Sequence, residues 1–220
     1  MNWDVTEATI EQIRCWLAAL RGMARGFTYP DARWLATLRD GSWCAALAEV
    51  LGPLGLSAKG MERAIAALSS DQVAALLDLE VEYTYLFINA VPHVPAPPYA
   101  SAYSDQGLLM GEPAAEAMRA YRAAGVTLAD DYDNLPDHLA VELEFVAWLG
   151  EQAIEAWEAG DGEKAQERLT QQEAFLRHHL SWLPAFLDRL EEAARIPFYR
   201  ELGLLTRSLL SVTPTSDTAF

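Results

Sequence analysis

The chain has 220 residues, of which 51% are hydrophobic and 22% charged, a composition that can bury a core and is not that of a disordered segment. Its 32 acidic side chains against 16 basic ones give a net charge of −16. A surface this negative repels phosphate backbones and anionic lipid, so no nucleic acid partner is expected.

Ala and Leu dominate and β-branched residues are sparse, which favours helix over sheet. The opening segment, Met1 to Glu7, is acidic and has no basic region leading into an apolar run, so no secretory signal is read there. No uninterrupted apolar stretch approaches membrane-spanning length, and no stable membrane insertion is expected. Thr6 is the candidate cap of a first helix that carries Ile10, Ile13, Leu17 and Leu20 on one stripe and ends near Gly26. A short helix follows Pro30, with Asp31 as candidate N-cap and Trp34, Leu35 and Leu38 facing inward until Gly41. Ser42 to Leu51 forms a third helix, stopped by Gly52-Pro53, and a fourth lies near Lys59 to Leu68. Cys15 and Cys44 sit among apolar neighbours, with no Cys-x-x-Cys pair, as expected of buried thiols in a reducing compartment such as the cytoplasm.

Ser69 and Gln72 offer a capping box for a long helix from about Asp71 to Ala90. Ser104 to Gly111 is ambiguous. Glu112-Pro113 starts another helix, closed by Gly125. The acidic turn Asp130 to Asn134 leads into a helix from Leu135 or Pro136 to about Ala159, broken by Gly160-Asp161-Gly162. Helical pattern then runs from Glu163 through Arg195, with a bend expected at Pro184. Pro197 opens a last helix through Leu210. No strand alternation and no fixed-period repeat is present. The expected fold is all-α, a single-domain bundle of roughly nine or ten helices by this periodicity, spanning residues 1–212, with 213–220 as a flexible C-terminal tail.

The most informative stretch runs from Glu82 to Tyr103. A helix ends on Tyr83-Thr84-Tyr85-Leu86-Phe87 and meets Pro92, Pro95, Pro97 and Pro98, which stiffen the chain and push each preceding residue toward extended geometry. The loop closes on Tyr99, Ser101 and Tyr103 rather than on the Gly and Asn of a slack linker. It reads either as a rigid loop presenting a surface or as a connection whose tyrosines cover the core. Asn134 to His138 reads as a helix start, with Asn134 capping and Pro136 in the first turn. His138 and Glu142, four apart, share a face. Two readings stay open: an exposed Asp137–His138 pair that binds a polar or cationic group, and a charged first turn with a surface histidine.

His178-His179 is adjacent and cannot ligate one metal from a regular helix, so one is expected in the core and the other in solvent. Trp16, Trp34, Trp148 and Trp182 recur at helical spacing, as core residues do. No phosphate loop and no serine-hydrolase elbow occurs. No enzyme, metal or cofactor is demanded.

Three ordered blocks are familiar. Glu82-Tyr83-Thr84-Tyr85-Leu86-Phe87 is similar to an aromatic-x-x-Leu-Phe element, Pro97-Pro98-Tyr99-Ala100-Ser101-Ala102-Tyr103 to Pro-Pro-Tyr-x-Ser-x-Tyr, and Pro136-Asp137-His138 to Glu-Pro-x-Asp-His. Phe175, His179, Leu180, Trp182, Pro184 and Phe186 add a looser likeness. In this order the chain resembles the TorD/DmsD family of redox-enzyme maturation chaperones and, more distantly, NarJ. The third block departs from the pattern, since Asp133-Asn134-Leu135 precedes the proline and Asp137 directly follows it. The resemblance implies an all-helical cytoplasmic chaperone, not an enzyme, that binds the twin-arginine leader and apo form of a molybdopterin oxidoreductase, assists cofactor loading and holds back premature export. It carries no cofactor of its own. Leader binding would fall to Tyr83, Leu86, Phe87, Pro97, Pro98, Tyr99, Ser101, Tyr103, Asp137, His138 and Glu142, with the carboxylates meeting the arginines. A monomer is expected, with a dimer left open. The alternatives are a metal-dependent helical hydrolase built on His138, Glu142 and His179, and an adaptor that binds a different helix.

Overall fold

A computed structural model describes residues 7–104, 110–129 and 134–212. The expected Thr6 cap, the acidic turn at 130–133 and the tail at 213–220 lie outside the described residues. Ten α-helices and no strand occur among the described residues, so the all-α expectation holds. The order is α1 Glu7–Gly26, α2 Ala32–Arg39, α3 Ser42–Leu51, α4 Lys59–Ala66, α5 Gln72–Tyr83, α6 Glu112–Ala123, α7 Leu139–Glu158, α8 Gly162–His179, α9 Leu183–Ala193 and α10 Pro197–Ser211.

The apolar pattern decides which helix lies at the centre. Twelve of the 20 residues of α7 are buried, too many for a one-faced surface helix. It packs against α1 on one side and α8 on the other. The three approach closely at Gly150, where an added Cβ would lie 2.5 Å from Leu17 Cδ2 and 2.6 Å from Gln172 Nε2. Gln172 uses that amide to donate to the Val146 carbonyl at 2.8 Å, satisfying a polar group inside the core. Trp16, fully buried on α1, donates its indole N–H to the Leu209 carbonyl of α10 at 2.9 Å. Trp34 and Trp182 are buried as expected, while Trp148 is half-buried. Both cysteines are buried free thiols.

Four boundaries differ from the sequence reading. The carboxylate of Asp71, rather than Ser69, caps α5 by accepting the Ala74 N–H at 2.8 Å. The helix expected to reach Ala90 stops at Tyr83 and continues as a single π turn over Thr84–Ile88. α7 begins at Leu139, not at Leu135 or Pro136, because Asn134 turns its side chain back onto Leu135 N–H instead of capping a helix. Pro184 does not bend a continuous helix. The chain breaks after His179, and the proline occupies the first turn of α9, where its missing N–H costs no hydrogen bond.

The end of α5 is tied to the α9–α10 junction by Glu82. Its carboxylate, 3% exposed, accepts the Arg195 backbone N–H at 2.5 Å and the Arg195 Nε–H at 2.7 Å. The Arg195 side chain is half exposed and also lies over the Tyr85 ring at 3.6 Å. Glu82→Ala therefore strands a backbone donor and removes two charge-assisted bonds, at an expected cost of about 2–3 kcal/mol. Arg195→Ala removes only a solvent-screened side chain and should cost about 1 kcal/mol or less. Urea unfolding of the two variants measures the difference, and equal losses would contradict this account.

Candidate functional site

The π turn closes with the Asn89 N–H donating to the Thr84 carbonyl at 2.8 Å, one residue wider than an α turn. Its carbonyl at Leu86 accepts the Ala96 N–H at 2.9 Å, which anchors the middle of the proline loop. Beyond Pro97 the loop pairs with the entrance of α7. The Leu139 N–H donates to the Pro98 carbonyl at 2.9 Å and the Ala100 N–H to the Asp137 carbonyl at 3.0 Å, forming an isolated antiparallel bridge between Tyr99 and His138. Because a proline offers a carbonyl but no N–H, this pairing uses what the loop has. The Asp137 carboxylate then accepts the Ser101 N–H at 2.8 Å, with both residues at 0% exposure.

The Asp137–His138 pair is thus not exposed, and the surface histidine of the alternative reading is equally excluded. His138 is 1% exposed and is itself the N-cap of α7, its Nδ1 accepting the Ala140 N–H at 3.1 Å. An imidazole accepting at Nδ1 carries its proton on Nε2, and that nitrogen has no hydrogen-bond partner. Burial depresses the His138 pKa from 6.5 to about 4, so the ring is neutral. Glu142 is also fully buried. Its Oε2 accepts the Trp182 indole N–H at 3.1 Å while Oε1 is unpartnered. Burial, seconded by the charge of Asp137 and opposed by the Trp182 bond, holds its pKa well above the carboxylate range.

A cleft of about 280 Å³ opens beside this bridge, lined by Thr28, Tyr29, Tyr83, Phe87, Ile88, Pro98, Tyr99, Asn134 and His138. Of the eleven candidate residues the fold brings Tyr83, Phe87, Pro98, Tyr99 and His138 to this one place. Leu86, at 0% exposure, belongs to the core, and Pro97, Ser101, Tyr103, Asp137 and Glu142 do not line the cleft. Tyr103 instead stacks on Trp182 at 5.1 Å, beneath the Arg189 guanidinium. Asp137 and Glu142, expected to meet arginines, are too deeply buried for it.

Three of the cleft's hydroxyls are already engaged. Tyr83 donates to the Phe27 carbonyl at 3.0 Å, Tyr99 to Asn134 Oδ1 at 2.8 Å and Thr28 to the Arg25 carbonyl at 2.8 Å. Among the described residues the walls are mostly aromatic and aliphatic with no carboxylate, and the His138 Nε2–H is a donor with no partner. Such a cavity suits an apolar group next to a hydrogen-bond acceptor. Thr28, Tyr29 and Ile88 were missed in the sequence, where Phe27-Thr28-Tyr29-Pro30 at the end of α1 was the available signal. Asn134 was read only as a cap.

The residues of the hydrolase alternative are not assembled. No group of three or more His, Cys, Asp or Glu that could hold a metal occurs among the described residues. His178 is exposed as expected, whereas His179, stacked on Phe175 at 4.3 Å, is only half-buried rather than in the core.

The two buried groups give opposite pH signatures. Between about pH 4 and 6.5 the unfolded chain protonates His138 and the fold does not, so this group's stability contribution is lost as pH falls through that window. The fold keeps a proton on Glu142 that the unfolded chain releases above its ordinary 4.5, so that contribution is full below 4.5 and lost as pH rises. The His138 slope is at most about 1.4 kcal/mol per pH unit, and the Glu142 contribution has the opposite sign above pH 4.5. His138→Asn, which keeps a capping acceptor, should make stability fall relative to wild type from pH 4.5 to 6.5. Glu142→Gln should make it rise. Urea midpoints at stepped pH read both, and a wild-type slope in either variant refutes the assignment of that group.

The nitrate reductase delta subunit family profile matches residues 44–188. Chaperone protein TorD of Vibrio cholerae serotype O1 (strain ATCC 39541) is 38% identical over 141 residues, 64% of this chain and 62% of that protein's length. Chaperone protein TorD of Escherichia coli O81 is 28% identical over 210 residues, covering 94% of this chain and 96% of its own. A solved redox enzyme maturation protein from Archaeoglobus fulgidus shares the fold, with a TM-score of 0.53 at 21% identity, covering 96% of this chain and 97% of that one. No described helix is long and apolar enough to cross a membrane.

Proposed function

Because the chain belongs to the nitrate reductase delta subunit family, we propose that it is a maturation chaperone whose cleft receives the N-terminal leader of a molybdopterin oxidoreductase. In this reading it works in the cytoplasm, holding the apoenzyme until its cofactor is loaded and keeping a twin-arginine leader from premature export. The observation that carries the proposal is the convergence of Tyr83, Phe87, Pro98, Tyr99 and His138, drawn from three separated sequence blocks, on one largely apolar cleft. A peptide side chain entering such a cleft would pack against its aromatic and aliphatic walls. The net charge of −16 attracts the basic end of the leader.

Calorimetry with the twin-arginine leader of a molybdoenzyme from the same organism should give micromolar or tighter binding, weaker for a Lys-Lys leader and weaker with added salt. Tyr29→Ala, at a residue 49% exposed, should weaken binding about tenfold, ~1.4 kcal/mol, with an unchanged melting temperature. Folded protein that binds no cognate leader would refute the proposal.

A further inference from the structure

Nine large hydrophobic side chains are exposed among the described residues, and five of them, Val73, Leu77, Val81, Ile88 and Val91, lie within one stretch of the chain. A sixth, Tyr29, meets Tyr83 of that stretch edge to face, with ring centroids 5.3 Å apart. Val73, Leu77 and Val81 repeat every four residues and so form one face of α5, opposite the buried Ala75, Leu79 and Glu82. They are 77%, 55% and 53% exposed, so the fold gains little from them. Valine is also a mediocre residue for an exposed helix position, where Ala, Glu or Lys would hold the helix better. Concentrated exposure of this kind marks an interaction surface.

We infer that this face of α5 is the second half of the docking surface, and that its occupant is the apolar stretch of the same basic-flanked leader peptide whose adjoining residues fill the cleft. The inference rests on the leader-binding reading and adds to it a place outside the cleft. Two observations select that occupant. First, the surfaces are continuous: α5 runs into the π turn without a break, and Ile88, 54% exposed, lines the cleft. Second, the charge is complementary: α5 contains no Lys or Arg, and Asp78 and Glu80 lie along the two sides of the stripe, where basic side chains of the peptide would be held. A second copy of this chain is a worse occupant, because a two-fold contact through this face would bring Asp78 and Glu80 of both copies together.

The test is a cycle of two proteins and two peptides. Leu77→Ser combined with Val81→Ser is compared with wild type, using the full leader and a leader trimmed of half its apolar stretch. Both residues are more than half exposed, so melting temperature and far-ultraviolet circular dichroism should not change. If the serine pair does lower the melt, Leu77→Gln with Val81→Gln, better helix formers, replace it. The expected result is a tenfold or greater loss of affinity for the full leader and equal affinity of both proteins for the trimmed one. If the variant binds the full leader as wild type does, the ridge is wrong and leader binding in the cleft stands. If neither protein binds any leader, both readings fall. If sedimentation finds a wild-type dimer that the serine pair dissociates, the face belongs to self-association and the inference is overturned.

Discussion

The geometry of the cleft depends on one buried contact, the Asp137 carboxylate accepting the Ser101 N–H at 2.8 Å with neither residue open to solvent. It fastens a loop poor in donors to the entrance of a helix rich in them. Pro92, Pro95, Pro97 and Pro98 leave the loop few N–H groups, so it cannot hold itself in place through a ladder. The entrance of α7 supplies the missing partners: the Leu139 N–H takes the Pro98 carbonyl, and the Asp137 carbonyl and carboxylate take the next two donors of the loop. Tyr99 is thereby brought against the His138 ring at 5.1 Å. The Tyr121 hydroxyl, donating to the Pro136 carbonyl at 2.7 Å, braces the same segment from α6.

Around this contact the fold places three ionisable groups at or near zero exposure. Burial of a charge is costly unless it is paired, and the protein resolves this in two ways. His138 is kept neutral, one nitrogen capping α7 and the other buried without a hydrogen-bond partner. Glu142 is pushed toward its neutral form and held by Trp182. Trp182 in turn stacks on Tyr103 and meets Phe186, so the polar centre grades into the aromatic core formed with Phe27, Phe87 and Tyr199. Rigidity of this kind preorganises a recognition surface, because side chains locked by packing lose little freedom on binding.

The proposed function would divide the labour of recognition. Long-range attraction of a basic peptide would come from the net charge, which is screened by salt. Local discrimination would come from the aromatic and aliphatic walls of the cleft. Only the second depends on the position of individual atoms.

Helix content, the breaks at Gly41, Gly125 and Gly160, and the apolar stripe of α1 were legible in the sequence, because periodicity and glycine punctuation act over a few residues. The three blocks that form the site were legible too, as separate strings. Their burial was not: Asp137, His138 and Glu142 are polar, and sequence spacing carries no record of what packs over them. The π turn, the capping of α7 by His138 in place of Asn134, and the new helix at Pro184 were decided by hydrogen bonds to distant or competing partners, to which local propensity is blind. Tyr29, Asn134 and Ile88 entered the cleft only when α1, the proline loop and the entrance of α7 met. The sequence by itself determined the all-α class and which segments carry the candidate chemistry, since both are written in short-range patterns. Which of those residues face a ligand and which are sealed inside was decided by the tertiary structure alone, because exposure is a property of the neighbours that packing supplies.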